Sequence, residues 1–347
     1  MAAALISVFI GNPTILALAV VIDAAIGDPP YRAHPVRLIG RTLSAMERLL
    51  RRAGMNGYAG GILLFVVLAF IWVGGVIALV TGVAAVSSFA AWGLHLFLVY
   101  SLVALGDLLR HVYAVERALE RNDIGAARHA ISQLVGRDTE TMDAAACRRA
   151  AIESLSENLT DGFGSPLFWY VITGLPGLVL FKIVSTMDSM VGYKTPEYLR
   201  FGWCGARLDD MMNFVPARLT WLLMSATAAV LPRCSGRKAF AIALAQHAVL
   251  PGPNAGWSEA AAAGALERRL VGPIRLGGHA VPDAKRPSIS CLPEERGLYR
   301  RAKVLDQLAF YGRLKGMTAA DSKRDAAALL QRVGLEDWLQ KPVMALS

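Results

Sequence analysis

From Ala53 to Gly106 the chain carries no Asp, Glu, Lys or Arg. As a helix this stretch would extend about 80 Å, at about 1.5 Å per residue. One bilayer crossing takes about 20 residues. The stretch therefore reads as two crossings, near 61–80 and 84–105, with a tight turn at Thr81 and Gly82. Met1 to Ile22 is also uncharged. It lacks the basic start and small-residue cleavage site of a signal peptide and reads as a retained span near 5–23. Two further segments, 163–181 and 217–231, are apolar. The first contains Pro166, Gly174, Pro176 and Gly177, and broken backbone at membrane depth must be satisfied by protein or water. It could span, re-enter or lie inside a bundle. Four or five spans are expected.

Hydrophobic residues make up 54% of the 347 and charged residues 18%. Soluble domains have about 45–50% and about 25%. Disorder and a purely soluble globule are both excluded. The net charge of +9 falls mostly between apolar stretches, which is the positive-inside pattern rather than a nucleic-acid surface. The loops 27–60 and 107–161 flank the uncharged hairpin and are rich in arginine, so both are expected in the cytoplasm. Cys147, Cys204, Cys234 and Cys291 have neither metal-ligand nor redox spacing. The expected fold is all-α: a multi-pass helical membrane protein with cytoplasmic helical loops and a soluble helical C-terminal tail.

Several polar groups need a reason. Asp23 ends the first apolar stretch. After it come Gly27-Asp28-Pro29-Pro30 and His34-Pro35-Val36-Arg37, a stiff loop. That loop either exits the membrane with its arginines on lipid phosphate, or holds Asp28, His34 and Arg37 at the mouth of a site. Asp123 suits a helix N-cap, and Asp138 or Thr139 suits the next one. The following helix carries Arg149, Glu153, Glu157 and Asp161 at four-residue spacing, on one face, with Ser154 and Asn158 beside them. Arg149 can pair with Glu153. Glu157 and Asp161 then form an acidic row suited to Mg²⁺, or simply a solvated helix face. Beyond the Pro-broken segment lie Lys182 and Asp188, then Arg207, Asp209, Asp210, Asn213 and Arg218. Asp209 and Asn213 point one way on a helix. Adjacent carboxylates beside Arg207 fit a salt-bridged helix end or a metal–phosphate site.

These motifs resemble the adenosylcobinamide-phosphate synthase family (CobD/CbiB) of cobalamin biosynthesis, over residues of about 15–280. The resemblance runs through Gly27-Asp28-Pro29-Pro30, His34-Pro35-Val36-Arg37, Gly136-Arg137-Asp138-Thr139, Glu153-Ser154, Glu157-Asn158 and Asp161-Gly162. It continues through Thr186-Met187-Asp188-Ser189-Met190-Val191-Gly192-Tyr193, Arg207-Leu208-Asp209-Asp210, Pro216-Ala217-Arg218 and Pro253-Asn254-Ala255-Gly256-Trp257. It implies a multi-pass inner-membrane ligase. The reaction would be ATP-dependent amide formation between adenosylcobyric acid and (R)-1-aminopropan-2-ol or its O-phosphate. The corrinoid cobalt would be carried by the substrate, with no protein-bound zinc or iron. Expected partners are the corrinoid, the amine, the bilayer and other cobalamin-pathway enzymes, with no nucleic acid.

The expected catalytic set is His34, Arg137, Asp138, Asp188, Arg207 and Arg218. His34 would take the amine proton, and the arginines would hold phosphate oxygens. Mg-ATP is expected at Glu153, Glu157, Asn158, Asp161, Asp209 and Asp210, with Mg²⁺ on Glu157, Asp161, Asp209 and Asp210. There is no Walker A loop.

The synthase-like domain is expected to end at 280, before a tail of 281–347. Within it, residues 291–347 resemble the helical part of an ABC-transporter ATPase, through Leu292-Pro293-Glu294-Glu295-Arg296-Gly297-Leu298-Tyr299, Leu314-Lys315-Gly316 and Val333-Gly334-Leu335. Walker A and Walker B are both missing. Thr318 and Asp321 read as a capping box. Other readings remain: an inactive fusion or frameshift product that keeps the fold, or a transport component. A transporter would place its charges at mid-membrane, whereas here the polar motifs lie outside the clear spans.

Overall fold

In this computed structural model the described residues are 9–27, 31, 33–136, 138–249, 252–267, 275–276, 279–280, 304–305, 308–309, 318–332 and 339. The chain divides into two compact units, Met1–Gly272 and Pro273–Ser347.

The first unit is helical. Helix α1 is Pro13–Ile26, begun by Asn12, whose side chain accepts from the amides of Thr14 and Ile15. At 14 residues it is about 21 Å long, shorter than a bilayer core. Within the span expected at 5–23, Phe9 is helical, the helix is interrupted at 10–12 and α1 follows, while residues 5–8 lie outside the described residues. Helix α2 is Pro35–Arg52.

Helix α3 runs without interruption over Tyr58–Val86. Thr81 and Gly82 are inside it, so the turn expected there is displaced. The Thr81 hydroxyl donates back to the Ile77 carbonyl at 2.7 Å, which satisfies it without breaking the helix. The break falls at Ser87, whose extended backbone and side-chain bond from the Ala90 amide start α4, Ser88–Ser101. Helix α5 follows at Leu105–Glu120, then α6 at Ile124–Ser132 and α7 at Ala144–Asn158. Asp123 caps α6 as expected, at 2.9 Å to the Ala126 amide. Asp143, rather than Asp138 or Thr139, caps α7. The Asp138 carboxylate instead turns the chain onto the Glu140 amide.

A π-helical turn, Leu159–Gly164, joins α7 to α8, Ser165–Val191. Gly174 breaks α8 locally at φ 67 and ψ −154, a conformation that only glycine enters cheaply. It frees the chain to bend just before Pro176. Helix α9 is Trp203–Val230, so the segment expected at 217–231 is only its C-terminal half. Helices α10, Gly236–Gln246, and α11, Ala255–Ala265, complete the unit. In the second unit Arg275–Leu276 pairs antiparallel with His279–Ala280. Helix α12, Ala319–Arg332, is capped by Thr318, whose hydroxyl accepts from the Asp321 amide and donates to the Asp321 carboxylate, one half of the expected capping box.

Among the described residues three helical stretches are long and apolar enough to cross a membrane: Tyr58–Val86, Ser88–Glu120 and Ala144–Val191. Their neighbourhoods differ. Phe70, Val86 and Phe89 are 80%, 90% and 85% exposed, which water would penalise and lipid tails would not. The Pro-broken segment in α8 is the opposite. Leu175, Leu178, Phe181 and Ile183 are fully buried, so this helix is apolar all round because it is the centre of the bundle. Ile15 and Ala19 of α1, Leu43 of α2, Leu64 and Leu68 of α3 and Val99 of α4 belong to the same core. Buried polar groups tie this core together. The Tyr170 hydroxyl accepts from the Asn12 amide and meets His95 Nε2, both at 3.2 Å. A second core, from Val115, Leu119, Ala127, Ile131, Cys147 and Ala150, unites α5, α6 and α7.

Asp23 has a structural reason. It is fully buried, and its carboxylate accepts from the amides of Leu105 and Gly106 at 2.8 and 2.9 Å. It caps α5 from another helix and suits the positive helix start. Arg110 of α5 reciprocates on the Ile26 carbonyl at the end of α1. Asp23→Ala should destabilise the protein by about 1–3 kcal/mol, because it strands buried amides. The thermal midpoint in detergent would fall, with Asp23→Asn in between. An unchanged midpoint would deny the cap its role.

Candidate functional site

The carboxylates singled out in the sequence come from three elements that meet. Asp161 lies in the π-turn. It is within electrostatic range of Asp209, Glu157, Asp188 and Lys182. Asp188 lies near the end of α8 and interacts with Asp210 and Lys194. Asp209 and Asp210 lie in the second turn of α9. The eleven residues between α8 and α9 are short enough to fold α9 back, bringing Asp188 beside Asp209.

The Asp209 carboxylate is oriented by a buried relay. Asn213, one turn on, donates to Asp209 Oδ2 at 2.9 Å, and Ser165 Oγ donates to Asn213 Oδ1 at 2.5 Å. Ser165 and Asn213 are 0% and 1% exposed. Burial and the neighbouring Asp188 carboxylate push the Asp209 carboxyl up to about 7, against the hydrogen bond from Asn213. An acid held that high near neutral pH marks a site where negative charges are crowded faster than cations offset them.

Could these oxygens hold Mg²⁺? Among the described residues no group of three or more His, Cys, Asp and Glu side chains stands close enough to hold a metal. An all-protein cage does not fit. Mg²⁺ bound through one or two carboxylates, with water and phosphate completing its shell, does fit, and it would relieve the crowding at Asp161 and Asp209.

The remaining expected residues divide by location. Arg207 pairs with Asp210 at 3.5 Å, at the edge of the carboxylate group. Arg218 lies 3.5 Å over the Phe214 ring and 5.0 Å from the Trp257 ring, and donates to the Phe214 carbonyl. Asn254 links this layer to the site, since its amide donates to the Asp210 carbonyl at 2.8 Å. Asn158 is exposed and bonds its own helix, donating to the Ser154 carbonyl at 2.8 Å. Glu153 lies next to Glu157, one turn away from the π-turn.

His34 is buried at the start of α2, its ring 5.1 Å from that of Tyr31. Asp138 lines a separate polar cleft with Arg128, His129, Ser132, Thr139 and Glu140. Arg137 and Asp28 lie outside the described residues.

The four-residue row from Arg149 to Asp161 does not continue as one face. Helix α7 ends at Asn158, and the wider π-turn rotates Asp161 away from the row toward Asp209. Two features are not given by the sequence. One is the partner of Lys182: this residue, buried in the bundle, is a cation within reach of Asp161. The other is an apolar cleft of about 670 Å³ beside the π-turn, lined by residues including Leu159, Phe163, Phe168, Pro216 and Leu223. It is of ligand-binding size.

Residues 16–292 match the sequence profile of the CobD/Cbib protein family. Cobalamin biosynthesis protein CobD of Pelobacter propionicus is 42% identical over 278 residues, covering 77% of this chain and 82% of that relative. Cobalamin biosynthesis protein CobD of a Sinorhizobium species is 41% identical over 279 residues, covering 78% and 85%. Cobalamin biosynthesis protein CbiB of Salmonella typhimurium is 39% identical over 276 residues, covering 77% and 85%. No solved structure matches the chain. The matched region contains α2 through α11 and every carboxylate of the site. With that extent of shared sequence around a helical membrane core, the chain belongs to the CobD/CbiB family of cobalamin biosynthesis proteins.

Proposed function

We propose that this chain is the amide-forming ligase of cobalamin biosynthesis. It would join a propionate carboxylate of adenosylcobyric acid to (R)-1-aminopropan-2-ol or its O-phosphate. The observation that carries this reading is the meeting of Asp161, Asp188 and Asp209 in a chain of this family.

A carboxylate does not condense with an amine at neutral pH until its oxygen is made a leaving group. ATP supplies that step. The carboxylate oxygen attacks the γ-phosphorus, a C–O–P linkage forms, and ADP departs. The amine nitrogen then attacks the carbonyl carbon, the C–N bond forms, and phosphate leaves with the former carboxylate oxygen. The proton lost from nitrogen goes to a base, the role assigned to His34. Mg²⁺ held at this site would supply positive charge to offset that of the phosphates. Asp161 and Asp209 are its proposed ligands, and Glu157, Asp210 and Asp188 set the charge around them. Glu153 and Asn158 support the same row. Arg207 and Arg137 are assigned to phosphate oxygens. Arg218, braced by two rings, is pre-oriented for the same task. The apolar cleft beside the π-turn offers a face for part of the macrocycle, whose cobalt stays with the substrate.

The arginine-rich segments 27–60 and 107–161 support a cytoplasmic side for the motifs they carry, in the inner membrane. Membranes carrying the full chain, and a version ending at residue 290, would be supplied with adenosylcobyric acid, aminopropanol phosphate and Mg-ATP. The corrinoid would be read by mass. Amide from both is expected, with the tail an appendage that catalysis tolerates. No amide from either inserted, folded chain would refute the ligase reading.

A further inference from the structure

One basic feature is left unused by that chemistry. Arg37, Arg41, Ser44 and Arg48 follow one another at spacings of four, three and four along α2, so they share a face. With Gly40 and Met190 they line a cleft of about 470 Å³. Gly40 lets α2 settle against the end of α8, since a Cβ there would stand 3.3 Å from the Met190 sulfur. Met190 lies two residues after Asp188, so this cleft is built on the same helix end as the carboxylate site.

The charge in the cleft is not offset. Among the described residues none of Arg37, Arg41 and Arg48 has a carboxylate within 4.0 Å, whereas Arg51 on the same helix pairs with Glu47 at 2.8 Å. Three guanidinium groups and a hydroxyl, without a carboxylate, match a phosphate dianion bound without metal. Guanidinium forks meet phosphate oxygens two at a time. A nucleotide arriving with Mg²⁺ suits the carboxylates instead. The volume is ample for a small phosphate monoester.

We infer that the cleft between α2 and the end of α8 binds the phosphate monoester of the amine substrate. This rests on the ligase reading and adds the group that would let the enzyme favour the phosphorylated amine over the free amino alcohol.

The test is a binding titration on the full chain, purified in detergent. The probes are (R)-1-aminopropan-2-ol O-phosphate and the unphosphorylated amine. For Arg41→Gln with Arg48→Gln the dissociation constant of the phosphorylated amine should rise about 10- to 100-fold, as expected for lost charge-assisted bonds. The unphosphorylated amine should change by less than about twofold, because no phosphate bond is removed. Arg41→Lys should fall between, keeping charge without the fork. Arg52→Gln, outside the cleft, makes a single charge change and should bind as the parent does. Unchanged affinity in the double variant overturns the proposal.

A second arm repeats the titration in nanodiscs of phosphatidylglycerol or phosphatidylcholine. If the double variant loses only its retention of phosphatidylglycerol and still binds the phosphorylated amine, the arginines serve lipid headgroups and the proposal fails. Arginine-dependent binding of the phosphorylated amine by a chain that makes no amide would support the cleft while refuting the ligase reading.

Discussion

Asp209→Asn should lower amide formation about 100-fold or more, the scale on which removal of a key electrostatic group acts, while leaving the helices intact. Asp209 stands within the crowded group: burial and the Asp188 carboxylate push its carboxyl up to about 7. Asparagine keeps the size and can still accept from Asn213, so the relay from Ser165 survives. What disappears is the charge proposed to hold Mg²⁺. The loss should be partly recovered by raising Mg²⁺, and circular dichroism should match the parent. Asp210→Asn should cost less, because Asp210 already shares its charge with Arg207. If Asp210→Asn retains full turnover at limiting Mg²⁺, Asp210 is not a ligand. If Asp209→Asn does so, the site as drawn is wrong.

Gly202→Ala should produce the largest loss of stability. A Cβ at Gly202 would overlap the carbonyl oxygen of Val191, the last residue of α8. The obstacle is backbone, so no side-chain rotation relieves it. Overpacking of this kind costs about 1–3 kcal/mol or more, and the upper end applies here. Relief would require moving the connection 192–202, which sets Asp209 beside Asp188. Thermal midpoint and turnover should therefore fall together. A variant with the parent's midpoint but reduced activity would separate the connection from stability.

Much of this architecture is legible in the sequence because it depends on composition over long windows. The uncharged stretch, the arginine-rich segments and the helices within 107–161 need only hydropathy and charge. The Asp123 and Thr318 caps are local, and both hold. Departures occur where a distant partner decides. Nothing near Asp23 announces that it caps Leu105. The turn expected at Thr81 moves to Ser87 because threonine in an apolar helix can bond its own preceding turn. The row ending in Asp161 assumes an unbroken helix, and the π-turn near Gly162 and Gly164 rotates Asp161 toward α9. The site was legible as a set of residue types; which of them meet depends on how α9 folds back on α8. The arginine face of α2 was visible as loop charge, and its cleft requires Met190 from another helix.

The most direct measurement is the fate of the carboxylate oxygen. Adenosylcobyric acid labelled with ¹⁸O in the reacting carboxylate would be turned over with aminopropanol phosphate and Mg-ATP by the purified full chain. Activation by γ-phosphoryl transfer predicts an amide product and one ¹⁸O atom in the inorganic phosphate released. Amide with label in AMP, or amide with unlabelled phosphate, would contradict that activation. No amide at all from folded, inserted protein would contradict the ligase itself.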